Sequence, residues 1–531
     1  MRLPSFDFRK PVDVLTVSAF SFALFMLFFN LGGRNLADWD EGIHVMSAEN
    51  AIQQHDYLVM RHQGRIADKS PFPLYPMIGF LKIFGPDEAS ARFSSALFGL
   101  GILIQVFLIA RRFYGKRAAA MAVFVLSTST QFMFDHGLRT ANIDAITIFF
   151  LTGAISCWLL VDRMDYKIIS TMGSLGAAFL CKGPIIAIPL SAILLSFPLS
   201  NPLRRSSVVP FLAGLLLACA LVLPWYLYMY GLFGHEFIQD KIVRNFLHRY
   251  WAGVGGHNNY GDMYFLDILL SPKNFLWYGV SLIALVNFFK RFSEDRTRED
   301  CVLIGWVLAS FVIVSQSQTK LDWYIFPLYP PLAIMTAKTL DDFIANENYL
   351  NKTAYYLGMI VCLTFLFNHS LSALGGGSNL VRACLAALLI YGTSRLFARF
   401  LPLHQRGLRL ALVVVLFLLP GFYSVERTLQ RDTAPPVLGI VKSLEPGKPI
   451  NTFQLNPSEN YYLSRIGKVR EFYRAEDVAK LKGQMVITRE EVIDNAGPKS
   501  PDGSFKVVVG LNTYVITPVE SGDGFAVVRV D

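Results

Sequence analysis

Apolar stretches of about twenty residues recur through the first 425 positions, each long enough to cross a bilayer as a helix. They fall near 12–31, 89–110, 118–134, 141–161, 168–181, 184–199, 207–230, 275–289, 301–315, 323–339, 353–371, 379–396 and 408–424. A chain with about thirteen such stretches is read as a polytopic, all-α membrane protein. Composition agrees. Hydrophobic residues make up 53% and charged residues 17%, against a usual ~25%, with 43 phenylalanines and a mean hydropathy of +0.40. So few charges cannot cover the surface of a soluble protein this size. Disorder, collagen, coiled coil and disulfide scaffolds are excluded by the same numbers. All six cysteines lie inside or at the ends of apolar runs, so no disulfide framework or thiolate zinc site is legible.

Orientation follows from the basic residues. Arg9 and Lys10 precede the first span without a small-residue cleavage site after it, which reads as a retained signal anchor. With the N-terminus inside, the inner loops hold Arg111, Arg112, Lys116, Arg117, Arg204, Arg205, Lys290, Arg291, Arg296 and Arg298. The short outer turns hold only Arg139, Lys182 and Lys320. This asymmetry predicts a cytoplasmic N-terminus and, with an odd number of spans, an outer C-terminus. The net charge of +9 is thereby assigned to topology and not to nucleic acid.

Two outer loops, about 32–88 and 231–274, are too long to be simple connections. Both hold amphipathic stretches suited to the membrane interface, one around Ile43 and Met46, the other from Phe237 to Phe246. Tyr57–Met60 and Arg65–Ala67 flank a Gln63-Gly64 turn and predict a small hairpin. Residues 1–425 thus form the predicted membrane domain. Residues 430–531 turn polar, with β-rich runs at 506–510, 514–517 and 525–530 and a helical stretch at 475–481, and predict a small α/β domain outside the membrane.

The residues able to carry chemistry sit in the outer turns. Asp38-Trp39-Asp40-Glu41 follows the first span; Asp38 suits a helix cap, which leaves two carboxylates and a tryptophan to explain. Asp68-Lys69-Ser70-Pro71 lies later in the same loop, and Arg61 adds a cation. Asp144 lies one turn inside an apolar helix, where an ionisable residue is a functional candidate; pairing with Arg139 is the structural alternative. Lys182 and Lys320 occupy short turns of their own. Together these cations could hold a phosphate, although each alone equally suits snorkelling to lipid headgroups. No nucleotide-binding glycine motif or HExxH metal motif is present.

These blocks resemble the GT-C glycosyltransferases of the protein O-mannosyltransferase and lipid A aminoarabinose transferase type. The resemblance covers about residues 12–340. It rests on Asp40-Glu41, Asp68-Lys69-Ser70-Pro71, Asp144, Cys181-Lys182-Gly183-Pro184, Gly256-His257, and Ser317-Gln318-Thr319-Lys320-Leu321 followed by Tyr324, Pro327, Tyr329 and Pro330. It implies a polyprenyl-phosphate-sugar donor, a lipid, glycan or protein acceptor, and inverting transfer on the periplasmic face of a bacterial inner membrane. It implies Asp40 as the catalytic carboxylate, with Glu41 and Asp144 in the same centre. Lys69, with Lys182, Lys320, Arg61 and Tyr324, would bind donor phosphate. Asp68 and His257 match positions that can hold a divalent metal; Asp68 stands where the family usually has Glu, and the loop around His257 lacks the His-x-Gly-Pro run. A phosphate leaving group needs charge compensation and no general acid, whereas a hydroxyl acceptor needs a base. A transporter or flippase of a lipid-linked sugar is the other reading. It is opposed by the one-sided clustering of charges and by the lack of an inverted repeat.

Overall fold

The computed structural model describes residues 10–37, 39–62, 65–66, 69–200, 207–253, 264–269, 275–345, 406–432, 435, 437–438, 449–472, 475–478, 480–481, 484–489, 492, 505–509, 512–522 and 525–530. The expected spans 353–371 and 379–396 lie outside them, as do Asp38, Gln63-Gly64, Asp68 and His257. Contacts divide the chain into two compact units. One comprises 1–29, 68–73 and 95–429; the other comprises 30–67, 74–94 and 430–531.

The first unit is helical. It contains α1 (Pro11–Phe28), and later α4 (Glu88–Tyr114, counted here from Ser95), α5 (Lys116–Ser127), α6 (Thr130–Phe134), α7 (Asp144–Leu160) and α8 (Met164–Lys182). Next come α9 (Ala187–Leu195), α10 (Phe197–Ser200), α11 (Val208–Phe237), α12 (Arg249–Trp251), α13 (Tyr264–Leu269), α14 (Phe275–Asp295), α15 (Arg298–Gln316), α16 (Tyr329–Ala345) and α17 (Arg406–Leu429). Among the described residues, five helical stretches are long and apolar enough to cross a membrane: Pro11–Phe28, Glu88–Tyr114, Met164–Leu199, Val208–Trp251 and Arg298–Gln316.

Several expected spans are broken where the backbone has a local reason to break. The stretch at 118–134 divides at Thr128, whose hydroxyl turns back to the Phe124 carbonyl (2.8 Å) and also accepts from the Trp277 indole N–H (3.0 Å). The stretch at 184–199 opens with a 3₁₀ turn, Gly183–Ile186, next to Pro184. The stretch at 323–339 likewise opens with a 3₁₀ turn, Asp322–Leu328, before α16 begins at Tyr329 ahead of Pro330 and Pro331. The amphipathic stretch after 230 is helical as expected, but wound as a π-helix over Ile238–His248, with Phe237, Lys241 and Asn245 buried at four-residue intervals.

The second unit joins an outer loop to the C-terminal residues. It contains α2 (Asp40–Gln54), a two-stranded hairpin of β1 (Arg61–His62) and β2 (Arg65–Ile66), and α3 (Tyr75–Phe84). The hairpin is antiparallel as the Gln63-Gly64 signal suggests, but its first strand starts at Arg61 and not at Tyr57. Its C-terminal part is a six-stranded mixed sheet in the order β4-β3-β5-β8-β7-β6. The strands are β3 (Ile450–Phe453), β4 (Val469–Phe472), β5 (Met485–Arg489), β6 (Phe505–Val509), β7 (Asn512–Gly522) and β8 (Phe525–Val530). β3 pairs parallel with β4 and β5, and the remaining pairs are antiparallel. Helices α18 (Pro457–Ser464) and α19 (Ala475–Val478) complete it; helix at 475–481 was expected over a longer run than α19 occupies. Val478, Leu481, Val486, Ala526, Val528 and Val530 form its apolar core.

Candidate functional site

In the first unit, the cations expected at separate turns are held together by specific contacts. The Ser70 hydroxyl donates to the Leu180 carbonyl (2.7 Å), so the Lys69 turn is pinned to the end of α8, two residues before Lys182. Gly183 then leaves that helix at φ 61°, a left-handed value, and an added Cβ would lie 2.6 Å from the Phe246 ring; only glycine lets the π-helix pack over this turn. At the end of the π-helix, the Arg249 and Tyr250 carbonyls accept from the Thr319 N–H (2.9 Å) and the Gln318 N–H (2.9 Å). The Ser317 hydroxyl donates to the Arg249 carbonyl (3.1 Å), and Arg249 Nη1 donates to the Tyr324 hydroxyl (3.1 Å). Lys182 Nζ lies 6.0 Å from the centre of the Tyr324 ring.

Lys182 forms an ion pair with Asp144, which is buried at the start of α7. The Arg139 guanidinium instead donates to the Met26 carbonyl and to the Phe29 carbonyl (2.9 Å). Lys320 is 4% exposed and, among the described residues, is paired with no carboxylate. Arg249 Nε is buried without a hydrogen-bond partner among the described residues. Arg249 was missed in the sequence because it looked like one more basic residue on an amphipathic helix. Its guanidinium turns to Tyr324. The same helix borders an open surface pocket of about 570 Å³ beside Glu236, Gln239, Asp240, Arg244, His248 and Gly253.

In the second unit, Asp40 is half-buried and opens α2, where a carboxylate is favoured by the helix dipole. The preceding Trp39 is exposed and sits at φ 66°, a backbone value that a tryptophan adopts only at a cost. Glu41 has a different role from the one its sequence position suggests. It is 2% exposed and accepts from Arg92 through two bonds of 2.9 Å, while its Oε2 accepts from the Ala37 N–H (2.7 Å). Arg92 also donates to the carbonyls of Leu31 (3.1 Å), Arg34 (2.7 Å) and Asn35 (2.8 Å). Glu41, expected in the catalytic centre, thus anchors a turn through this pair, because a charge so buried is stable only when paired. Arg61 lies in β1, where its carbonyl accepts from Asn50 Nδ2 (3.0 Å); it belongs to the second unit, unlike the four other residues expected to bind phosphate. Both expected metal ligands, Asp68 and His257, lie outside the described residues, and no group of three or more metal-ligating side chains occurs among those described.

A family described as dolichyl-phosphate-mannose-protein mannosyltransferase matches residues 68–228. An uncharacterized protein of Aquifex aeolicus is 27% identical over 323 residues, covering 60% of this chain and 62% of that one. An undecaprenyl phosphate-alpha-4-amino-4-deoxy-L-arabinose arabinosyl transferase of Edwardsiella ictaluri is 28% identical over 339 residues, covering 59% and 57%. The chain thus spans less than two thirds of the length of these relatives. Similarity of fold extends further. The structure of ArnT from Cupriavidus metallidurans in the apo state superposes with a TM-score of 0.70 at 19% identity, covering 98% of each chain. The oligosaccharyltransferase of Archaeoglobus fulgidus superposes with a TM-score of 0.53 at 13% identity, covering 91% of this chain and 70% of that one. The segment matched by that family carries Lys69, Asp144 and Lys182, and the fold is similar along nearly the whole chain to that of ArnT.

Proposed function

We propose that this protein is an integral-membrane glycosyltransferase that moves a sugar from a polyprenyl-phosphate donor to an acceptor on the periplasmic face, with inversion at the sugar C1. The observation that carries this reading is the buried Lys320, without a carboxylate partner among the described residues, on the same short segment that binds Arg249, whose Nε is also unpartnered. Several cations elsewhere in the same unit are paired with carboxylates, Lys116 with Asp13, Arg117 with Asp341 and Arg291 with Asp300, whereas Lys167 is buried against the Trp158 ring. Burying an uncompensated charge costs several kcal/mol, so a phosphate is the ligand that relieves this cluster. Lys69, Lys182, Lys320, Arg249 and Tyr324 are assigned to it.

In the proposed reaction, the bond between C1 and the phosphate oxygen breaks and the electron pair leaves with the phosphate. The cations offset the charge that grows there. A new bond forms between C1 and the acceptor oxygen from the opposite face. Asp40 takes the proton of an acceptor hydroxyl. The ion pair to Lys182 holds Asp144 in place and suits it to orienting that lysine. Relatives of the chain are named for undecaprenyl-phosphate-linked aminoarabinose, and one solved structure of the fold is described as bound to undecaprenyl phosphate, which supports a lipid-linked donor. The acceptor is a lipid, a glycan or a protein. We place the protein in a bacterial inner membrane with about thirteen spans, the N-terminus inside and residues 430–531 outside.

The test compares masses of lipid, glycan and protein fractions from cells with the wild-type protein, Asp40→Asn, Lys320→Met or no protein, at matched membrane levels. A mass increment present with wild type and lost in both variants is the expected result. An Asp40→Asn protein that still makes the product would remove the base from the mechanism. Donor translocation without any product would replace transfer with transport. A reporter fused at Arg296 should read inside and one at the C-terminus outside.

A further inference from the structure

After α1 the chain runs without regular secondary structure from Asn30 to Ala37, so its backbone groups need partners from elsewhere. Some come from Arg92 and Glu41, as described. The others come from the C-terminal segment of the same unit. Asn30 Nδ2 donates to the Gln430 carbonyl (2.9 Å), and the Asp432 N–H donates to the Gly33 carbonyl (2.9 Å). The Asn35 N–H donates to Asp432 Oδ2 (3.0 Å). The buried Leu36 N–H donates to the Tyr462 hydroxyl (2.7 Å). Gly42, in the first turn of α2, touches α18 so closely that an added Cβ would lie 2.7 Å from the Pro457 carbonyl carbon.

Helix α18 is itself held rigid. Asn456 and Glu459 form a reciprocal capping box at its start, and Glu459 is paired with Arg489 of β5. The helix that meets the Asp40 segment is therefore built into the six-stranded sheet. Burial raises the Tyr462 hydroxyl above its ordinary pKa, so it remains neutral and keeps its proton for Glu88. Trp39, one residue before Asp40, keeps its strained φ of 66°. Such a conformation persists where the surroundings over-determine the chain.

We infer that Tyr462 is a positioning residue, through which the C-terminal sheet holds the turn that sets Asp40. The inference rests on the proposed role of Asp40 as base. It implies that the C-terminal segment is a working part of the catalytic centre, acting without touching substrate.

The test uses the full chain in nanodiscs. Tyr462→Phe removes the acceptor of the Leu36 N–H and leaves the ring in place. Tyr461→Phe is the control, since the buried Tyr461 hydroxyl has no hydrogen-bond partner among the described residues. Two readouts are taken: backbone hydrogen exchange over 31–37, and kcat and KM with polyprenyl-phosphate sugars extracted from the host's membranes as donor. Tyr462→Phe should speed exchange over 31–37 by about tenfold. It should lower kcat by about tenfold with donor KM unchanged, because a displaced base is felt in the transition state. Tyr461→Phe should change neither. Unchanged exchange in Tyr462→Phe would overturn the inference. So would faster exchange with unchanged kcat while Asp40→Asn is inactive, since the turn would then be held without being used. A fully active Asp40→Asn would instead trace the failure to the proposed base, and the inference would fall with it.

Discussion

Replacing Arg92 with leucine should loosen the turn ahead of Asp40 by an amount the structure allows to be estimated. Arg92 is 5% exposed and Glu41 is 2% exposed, so neither charge has water to fall back on. Removing one partner of a buried pair typically costs about 3–5 kcal/mol. The carbonyls of Leu31, Arg34 and Asn35 lose their donor in the same step. The turn opens to water before the full sum of these losses is reached, so the total is capped near the upper end of that range. At about 1.4 kcal/mol per factor of ten, amide exchange over 31–41 should accelerate by about 10²–10⁴-fold. Pairing Arg92→Leu with Glu41→Leu removes both charges and should recover part of the loss. The coupling energy between the two substitutions is expected at about 2–3 kcal/mol, within the range for residues sharing one network. Exchange measured by mass spectrometry on wild type, both single variants and the double variant closes the cycle. Wild-type exchange over 31–41 in Arg92→Leu, or strictly additive single effects, would refute the anchor role of the pair.

Two further outcomes follow from the same geometry. The Glu49 carboxyl on α2 is raised to about 7 by burial, opposed by the Arg465 charge, so its contribution to the fold is fully present below about pH 4.5 and lost as pH rises through about 7. Protection over 457–465, taken relative to the intrinsic base-catalysed exchange rate at each pH, should thus be greater at pH 5.5 than at pH 8, by no more than about 3 kcal/mol in free energy, and Glu49→Gln should flatten that difference; an identical protection profile in the variant would contradict it. In the cation cluster, Arg249→Gln should raise donor KM by about tenfold with a smaller change in kcat, and Tyr324→Phe by about two- to threefold, since it removes only the hydroxyl that accepts from Arg249. Steady-state kinetics that leave donor KM unmoved in Arg249→Gln would exclude this arginine from the phosphate site.

The membrane-spanning helices were legible because their cause is local. A long apolar run in lipid must satisfy its backbone within itself, and a helix does so whatever its neighbours are. Charge at the ends of the runs was legible for the same reason, which is why Lys69, Asp144, Lys182 and Lys320 could be picked out singly. The breaks at Thr128 and ahead of Tyr329 were not, since an apolar run hides a hydroxyl that turns back on the helix or a proline pair that starts a new one. The β-rich runs at 506–510, 514–517 and 525–530 stood out and overlap β6, β7 and β8, whereas β3, β4 and α18 are short and of mixed composition.

Adjacent carboxylates illustrate where sequence reasoning stops. By residue type and position alone Asp40 and Glu41 are alike, and only the family resemblance singles out Asp40. Successive residues on a helix point about 100° apart, so once α2 starts at Asp40 only one of the two meets Arg92, fifty-one positions along the chain. Arg249 was similarly indistinct until a backbone pairing with Gln318 and Thr319 brought it to Tyr324. What the chain order determines by itself is the class of protein, its helices and its stock of charges, because burial in lipid and local hydrogen bonding act within each segment. Which of those charges are spent on holding the fold and which stay available for a substrate is decided only by tertiary contacts, because neutralising a buried charge requires a partner that the sequence places far away.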